Sequence, residues 1–231
     1  MRLGYVLIDK EPEAASKTVE YAYDDWTIAK VAADLGQAEV AKTSRDTRRL
    51  VAQQLRPEDR LPAGPQERRG PIASSFDPTA INYGSDYTEG NARQYSWFAP
   101  QDLGGVVKAL GGDAATVKKL DAMFDFDNSK VDYSHAEDIA GLIGQYIHGN
   151  EPSHHVAYLY DYAGAPVAHP GPADPDREEA STSRPPDGLS GNDDLGQMSA
   201  WLMFTSLGFC PVTPASNRIP PSAGRSWKRR R

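Results

Sequence analysis

A chain of 231 residues, 39% hydrophobic and 25% charged, has an ordinary globular composition and is long enough for one sizeable core or two small ones. Its net charge of −7 and pI near 5.2 argue against a nucleic-acid-binding surface along the whole chain, and no apolar run approaches the ~20 residues of a membrane-spanning helix. A single cysteine, Cys210, excludes an internal disulfide framework. The short apolar run at the N-terminus, interrupted by Asp9 and Lys10, does not predict a signal peptide.

The first predicted element is a helix that begins near Ser16 and ends at Gly36, because apolar residues recur at intervals of three and four. The apolar positions are Val19, Ala22, Tyr23, Trp26, Ala29 and Ala33. Glu20, Asp24 and Asp25 of this helix form either an acidic face toward a site or, more commonly for such a run, a solvated face.

The segment DYTEGNARQYSWF at residues 86–98 mixes aromatic rings with polar side chains. Such a mixture suits a carbohydrate surface, where rings stack on sugar faces while carboxylates and amides bind hydroxyls. Glu89 and Trp97 are its candidate carboxylate and sugar-binding ring. The alternative is a loop in which the aromatic residues pack against one another.

Three further helices are predicted over residues 101–110, 114–124 and 136–147. The last leads into HGNEPSHH at residues 148–155, where Pro152 is suited to the first position of a helix that Gly164 ends. Asn150 and Glu151 then lie at a helix N-terminus and offer oxygen ligands to a hard cation, although simple capping is the alternative.

Histidines of the same segment suggest a second reading, a zinc site formed by His148, His154 and His155. Their spacing does not match the helical pair that places two ligands on one face, and Cys210 belongs to another element. The pattern therefore disfavours zinc.

A last helix follows the sequence GNDD at residues 191–194, with Asp193 or Asp194 as its cap and Gly208 as its end. Its predicted inner face consists of Met198, Trp201, Leu202 and Thr205. No regular structure is predicted for the Arg/Pro-rich stretch 43–71 or for 166–184, and the basic tail 215–231 is expected to be disordered.

Glu89, Asn150/Glu151 and Asn192/Asp193/Asp194 each fall at a loop or helix N-terminus, which predicts an all-helical structure with its site at one shared end. Two carboxylates, one protonated and one ionised, are the minimum for glycoside hydrolysis. A helix N-terminus favours the ionised form of Asp194 as the base, whereas an aromatic loop favours the protonated form of Glu89 as the acid.

Several motifs in order resemble the catalytic domain of glycoside hydrolase family 92. The matching segments are DYTEGNA (86–92), QYSWF (94–98), HGNEPSHH (148–155), GNDD (191–194) and GQMSAW (196–201). The resemblance implies a calcium-dependent, inverting, exo-acting α-mannosidase with an (α/α)6 toroid that acts on mannose-containing glycans. It also implies that Glu89 is the acid, that Asp194 is the base, that Asn150 and Glu151 lie at the calcium ion, and that Asp193, His148, His154 and Trp97 contact the sugar.

The chain also departs from the family. Members are several times longer and carry an N-terminal β-sandwich, so residues 1–214 correspond to only part of a toroid. Arg93 stands where an aromatic residue is expected, and the Arg/Pro-rich intervals between intact motifs suggest shifted reading frames. Homologues are typically exported bacterial enzymes of the periplasm or the extracellular space.

These departures predict that the chain is inactive by itself, since the apolar residues Trp26, Leu142, Leu159 and Trp201 would lack partner helices. Two alternatives remain. The chain is either a non-catalytic remnant that keeps affinity for sugar or calcium, or part of a different α/α-toroid glycosidase.

Overall fold

A computed structural model describes residues 6–7, 10–48, 77–81, 86–133, 136, 139–165, 192–207 and 210–213. The chain divides into two compact units, one comprising Met1–Gln101 with Val131–Glu137 and the other Asp102–Lys130 with Asp138–Arg231. The predictions for residues 49–71, 166–184 and 215–231 and for Gly208 lie outside the described residues. In the described part of the chain, no helix is long and apolar enough to cross a membrane.

The first unit contains helices α1 (Ala14–Asp34), α2 (Ala38–Arg48) and α3 (Ala92–Tyr95). The predicted first helix is confirmed, although Ala32 rather than Ala33 faces the core. Gly36, at φ 72°, reverses the chain between α1 and α2, since its left-handed backbone suits glycine. Helix α2 extends to Arg48, into a stretch for which no regular structure was predicted.

The core of the first unit joins α1 to the segment around α3. It consists of Ala15, Val19, Tyr87, Ala92 and Tyr95, with Phe98 packed against it. The rings of Tyr87 and Tyr95 stack with centroids 5.7 Å apart. The aromatic residues of the 86–98 segment thus pack against one another, as the alternative interpretation of that segment expected.

In the second unit, the structure confirms two predicted helices, α4 (Leu103–Ala109) and α5 (Asp113–Phe124). A 3-10 turn, Pro100–Asp102, precedes α4, and the Asp102 carboxylate caps α4 by accepting the Gly105 N–H at 3.1 Å. A second 3-10 turn, Asn128–Lys130, follows α5.

The predicted helix over 136–147 is wrong, because a β-hairpin of β1 (Leu142–Ile143) and β2 (Tyr146–Ile147) occupies its second half. Leu142 pairs with Ile147 and Ile143 with Tyr146. Gly141 and Gly144 have φ values of 67° and 56°, which interrupt helical backbone and turn the chain. The fold is therefore mostly helical rather than all-α.

Beyond the hairpin, the helix predicted from Pro152 is divided into the 3-10 helices Glu151–Ser153 and Val156–Tyr158 and the short helix α6 (Leu159–Tyr162). Helix α6 packs against α4 and α5, and Gly164 follows it at φ 69°. The last helix, α7 (Gln197–Ser206), is confirmed. Of its predicted inner face, Met198 and Trp201 are buried, whereas Leu202 is exposed.

The backbone of Gly144 approaches the end of α5 so closely that an added Cβ would overlap the carbonyl oxygens of Met123 and Phe124. We expect Gly144→Ala to lower the free energy of unfolding by ~2–5 kcal/mol, from a left-handed φ combined with a steric clash. Gly112→Ala is the matched control, since Gly112 has φ 90° and nothing within 4 Å of its added Cβ. It should cost only ~1–2 kcal/mol. Urea unfolding of both variants measures the difference, and equal losses would show that the contact with α5 is unimportant.

Candidate active site

In the first unit, Glu89 lies on an exposed turn whose preceding residues are held by α1. The N–H of Ala15 donates to the Asp86 carbonyl at 2.9 Å, and Ser16 Oγ accepts the Thr88 N–H at 3.0 Å. Glu89 has φ 46°, a left-handed conformation that costs a non-glycine residue about 1–2 kcal/mol. The contacts to Asp86 and Thr88 therefore hold the carboxylate at a strained, outward-facing position.

After Glu89 the chain turns into α3 through a capping box formed by Asn91 and Gln94. The Asn91 side chain accepts the Arg93 and Gln94 N–H groups, and Gln94 Oε1 accepts the Asn91 N–H at 2.7 Å. The candidate sugar-binding residue Trp97 is only 1% exposed in this chain. A sugar would reach that ring only if the side chains covering it moved.

A cluster of rings forms the candidate sugar-binding part of the second unit. The His148 ring lies 4.4 Å from the Trp201 ring, edge to face, and 5.6 Å from the His154 ring, measured between centroids. The Trp201 indole N–H donates to the His154 carbonyl at 3.1 Å. The structure thus brings together two of the predicted substrate-binding residues and attaches them to α7.

A hydrogen bond to a carbonyl fixes the tautomer of His154. His154 Nε2 lies 3.0 Å from the His148 carbonyl, which only accepts, so Nε2 is protonated and Nδ1 accepts from the Gln197 amide at 3.4 Å. The Tyr146 hydroxyl and His148 Nδ1 share a hydrogen bond of 3.1 Å, whose direction depends on the tautomer of His148. The sequence analysis assigned no role to Tyr146 or Gln197, although Gln197 lies within the GQMSAW motif and Tyr146 two residues before HGNEPSHH.

Burial keeps both imidazoles neutral. Loss of solvation and, to a smaller extent, the charge on His154 lower the pKa of His148 to about 4. Burial also lowers the pKa of His154, against the opposing effects of its backbone hydrogen bond and the Asp194 carboxylate. At neutral pH the pair therefore offers hydrogen-bond donors and acceptors rather than positive charge.

The two neighbouring carboxylates at the start of α7 differ in what they contact. Asp193 Oδ1 accepts the Ser199 N–H at 3.0 Å and the Ser199 hydroxyl at 2.7 Å, so this carboxylate stabilises the first turn of the helix, although Gly196 holds the N-cap position. Asp194 is exposed and has φ 47°, and Leu195 after it has φ 57°. Two successive left-handed residues thus precede the helix, and the Asp194 side chain remains accessible to solvent.

Asn150 and Glu151 provide oxygen atoms of the kind that calcium prefers, but too few for a complete site. The Asn150 side chain makes no capping bond to the 3-10 helix that follows it, and Glu151 is exposed. Calcium takes six to eight oxygen ligands. No group of three or more His, Cys, Asp or Glu side chains that could hold a metal occurs among the described residues. The pair therefore fits part of a coordination sphere.

Residues 1–220 match the glycosyl hydrolase family 92 catalytic domain. A family GH92 alpha-mannosidase from Bacteroides thetaiotaomicron, solved in complex with mannoimidazole, is 40% identical with a TM-score of 0.79, over 93% of this chain and 28% of its own. A family GH92 inverting mannosidase from the same organism is 31% identical with a TM-score of 0.69, over 92% of this chain and 29% of its own.

An uncharacterized secreted glycosidase from Arthroderma benhamiae is 29% identical over 87% of this chain and 26% of its own length. The chain therefore spans little more than a quarter of the length of these relatives. Because the match to the catalytic domain covers nearly all of its residues, the chain belongs to glycosyl hydrolase family 92.

Proposed function

We propose that the chain is part of a calcium-dependent, inverting exo-α-mannosidase that removes terminal α-linked mannose from glycans. The observation that carries this proposal is the 40% identity to an alpha-mannosidase over 93% of the chain, together with a TM-score of 0.79. The (α/α)6 toroid and the N-terminal β-sandwich belong to the proposal as features of the complete protein. Export of that protein is supported by the relative described as secreted.

Glu89 and Asp194 are the proposed acid and base of a single displacement. Asp194 removes a proton from water as the water oxygen bonds to the anomeric carbon. The bond from that carbon to the leaving oxygen breaks, and Glu89 protonates this oxygen. The exposed, left-handed positions of both carboxylates support these roles, since strained non-glycine residues cluster at functional sites.

His148 is proposed to bind a sugar hydroxyl through Nε2, since its Nδ1 shares a hydrogen bond with Tyr146. His154 is proposed to contact the sugar through Nδ1, in place of its 3.4 Å hydrogen bond with Gln197. The second oxygen of Asp193 is also proposed to contact the sugar, and Trp97 is proposed to do so once the side chains that cover its ring have moved. Asn150 and Glu151 would hold calcium, which when bound organises vicinal hydroxyls of the sugar.

Inversion predicts the anomer that is released first. We expect a protein restored to the length of its relatives to release β-mannose from an α-mannoside, because water attacks the face opposite the leaving group. Proton NMR during the first minutes of hydrolysis, before mutarotation, measures the anomer. Initial α-mannose would contradict the single displacement, and release of no mannose at all would contradict the activity.

The second candidate function is a carbohydrate- or calcium-binding remnant without turnover. It is favoured by the short span of the chain, which covers 28% of the alpha-mannosidase that it resembles. Calorimetry with mannose and calcium chloride distinguishes this candidate from an inert chain. Retained binding without hydrolysis supports the remnant, whereas hydrolysis contradicts it.

A further inference from the structure

The Tyr95 hydroxyl lies within hydrogen-bond distance of two acceptor oxygens in the first unit, and it also has a side-chain hydrogen bond with Ser16. Its oxygen is 3.0 Å from the Thr88 carbonyl oxygen and 3.1 Å from Glu20 Oε1. A tyrosine hydroxyl carries one hydrogen, and a carbonyl oxygen can only accept. If Glu20 were ionised, two acceptors would compete for a single hydrogen. Both contacts of the Tyr95 hydroxyl, to Thr88 and to Glu20, are hydrogen bonds only if one of these groups supplies a second hydrogen.

We infer that Glu20 is a protonated carboxylic acid in the folded chain, that it donates to the Tyr95 oxygen, and that Tyr95 donates to the Thr88 carbonyl. The chain of hydrogen bonds from α1 then ends on the residue that precedes Glu89. Glu20 is therefore a positioning residue for the Glu89 turn. That Glu20 positions a catalytic acid rests on the proposed function of Glu89. The protonation of Glu20 is independent of that function.

Burial and neighbouring charges support this assignment. Burial raises the pKa of Glu20 above its ordinary value of 4.5, and the carboxylates of Asp24, Glu13 and Glu89 raise it further, against the lowering effect of the Tyr95 hydrogen bond. Burial also raises the pKa of Tyr95, so this hydroxyl keeps its hydrogen. A neutral Glu20 avoids placing a second negative charge near Glu89.

Hydrogen bonds on both sides of Thr88 fix the backbone that leads into the Glu89 turn. The Thr88 N–H is bound by Ser16 Oγ at 3.0 Å, and its carbonyl is bound by Tyr95. Both peptide groups that flank Thr88 are therefore tied to the core before the chain enters the left-handed conformation of Glu89. Loss of the proton from Glu20 would draw the Tyr95 hydrogen toward the new carboxylate and release the Thr88 carbonyl.

The direct test is a carboxyl 13C NMR titration of the 231-residue chain labelled at glutamate, in which the Glu20 resonance is assigned by its absence from Glu20→Gln. We expect the Glu20 carboxyl to titrate with a midpoint above 4.5. A Glu20 midpoint at or below 4.5 would overturn the inference. The result does not depend on whether the protein hydrolyses mannosides.

A second test compares the stability of two substitutions across pH. The Gln amide donates to Tyr95 as the protonated acid does, so Glu20→Gln should melt within a few degrees of the unsubstituted chain at pH 4.5, while Glu20→Ala melts lower. Because the folded chain binds the extra proton, ionisation of Glu20 reduces stability as pH rises from 4.5 through the folded pKa. Glu20→Gln should thus become progressively more stable than the unsubstituted chain over that window. A pH-independent difference between Glu20→Gln and the unsubstituted chain would contradict a protonated Glu20.

Discussion

We expect the 231-residue chain by itself to hydrolyse an α-linked mannobiose at least ~10²-fold more slowly than a complete family member. The chain spans only 28% of the alpha-mannosidase that it resembles. In the proposed mechanism the acid, the base and the calcium ligands come from separate loops. A displacement of ~1 Å at any of them can reduce the rate on the order of 10²-fold.

Exposed apolar side chains give a structural reason for this loss. On α7, Leu202, Met203 and Leu207 are 60%, 69% and 68% exposed, although Met198 and Trp201 on the same helix are buried. A helix that is apolar on both sides is typical of the interior of a larger protein. Leu159 and Trp201 were expected to lack partners, but both are buried, and the exposed apolar side chains are instead those of Leu202 and Met203 on α7 and of Leu207 at its C-cap.

The outer face of α1 shows the same feature in the first unit. Tyr21, Ile28, Val31 and Leu35 of this helix are exposed. Burying such surface contributes about 25 cal/mol per Å². The short chain therefore forgoes stabilisation that a complete catalytic domain would gain by covering these helices.

Assay of the purified chain with calcium and an α-mannobiose series, beside a complete relative at equal concentration, measures the predicted loss. Circular dichroism melting shows whether the chain folds. The same chain restored to full length is the positive control. Turnover equal to that of the complete relative, from a monomer that unfolds cooperatively, would contradict the prediction.

We also expect Glu89→Gln and Asp194→Asn, each made in the restored full-length protein, to lower turnover by at least ~10²-fold. Both substitutions keep the shape of the side chain but remove the proton donor or the base. Because Glu89 and Asp194 are exposed in this chain, neither change should disturb its core. The loss should therefore appear in kcat, with melting temperatures close to that of the unsubstituted protein.

Glu39→Gln is the matched control for the acid, since Glu39 is an exposed glutamate on α2 of the same unit. Asp125→Asn is the control for the base, because Asp125 is an exposed residue of the second unit. Turnover is measured as the initial rate on an α-mannoside with a poor leaving group, because hydrolysis of such a substrate requires the acid to protonate the leaving oxygen. If either catalytic variant keeps near-normal turnover while its control also does, the role of that residue is misassigned.

The helices that the sequence predicted best are those with continuous apolar periods and clear ends. The apolar residues of α1 recur at intervals of three and four until Gly36 ends the pattern, and α5 begins with an acidic residue, Asp113, in its first turn. The hairpin was missed because Leu142, Ile143, Tyr146 and Ile147 satisfy both helical and hairpin spacing. The deciding factor is the contact of the Gly144 turn with the end of α5, which lies about 20 residues earlier in the chain.

Sequence motifs alone identified the family, the candidate acid and base, and the two histidines that the structure places side by side. These motifs are recognisable from the sequence because each is contiguous along the chain, so its identification does not depend on which residues pack against it in the fold. Only the tertiary structure decided that the Asp193 carboxylate binds the first turn of α7 while Asp194 stays exposed, and that burial lowers the pKa values of His148 and His154. Solvation, charge and hydrogen-bond partners depend on residues distant in sequence, and for that reason protonation and exposure are properties of the fold.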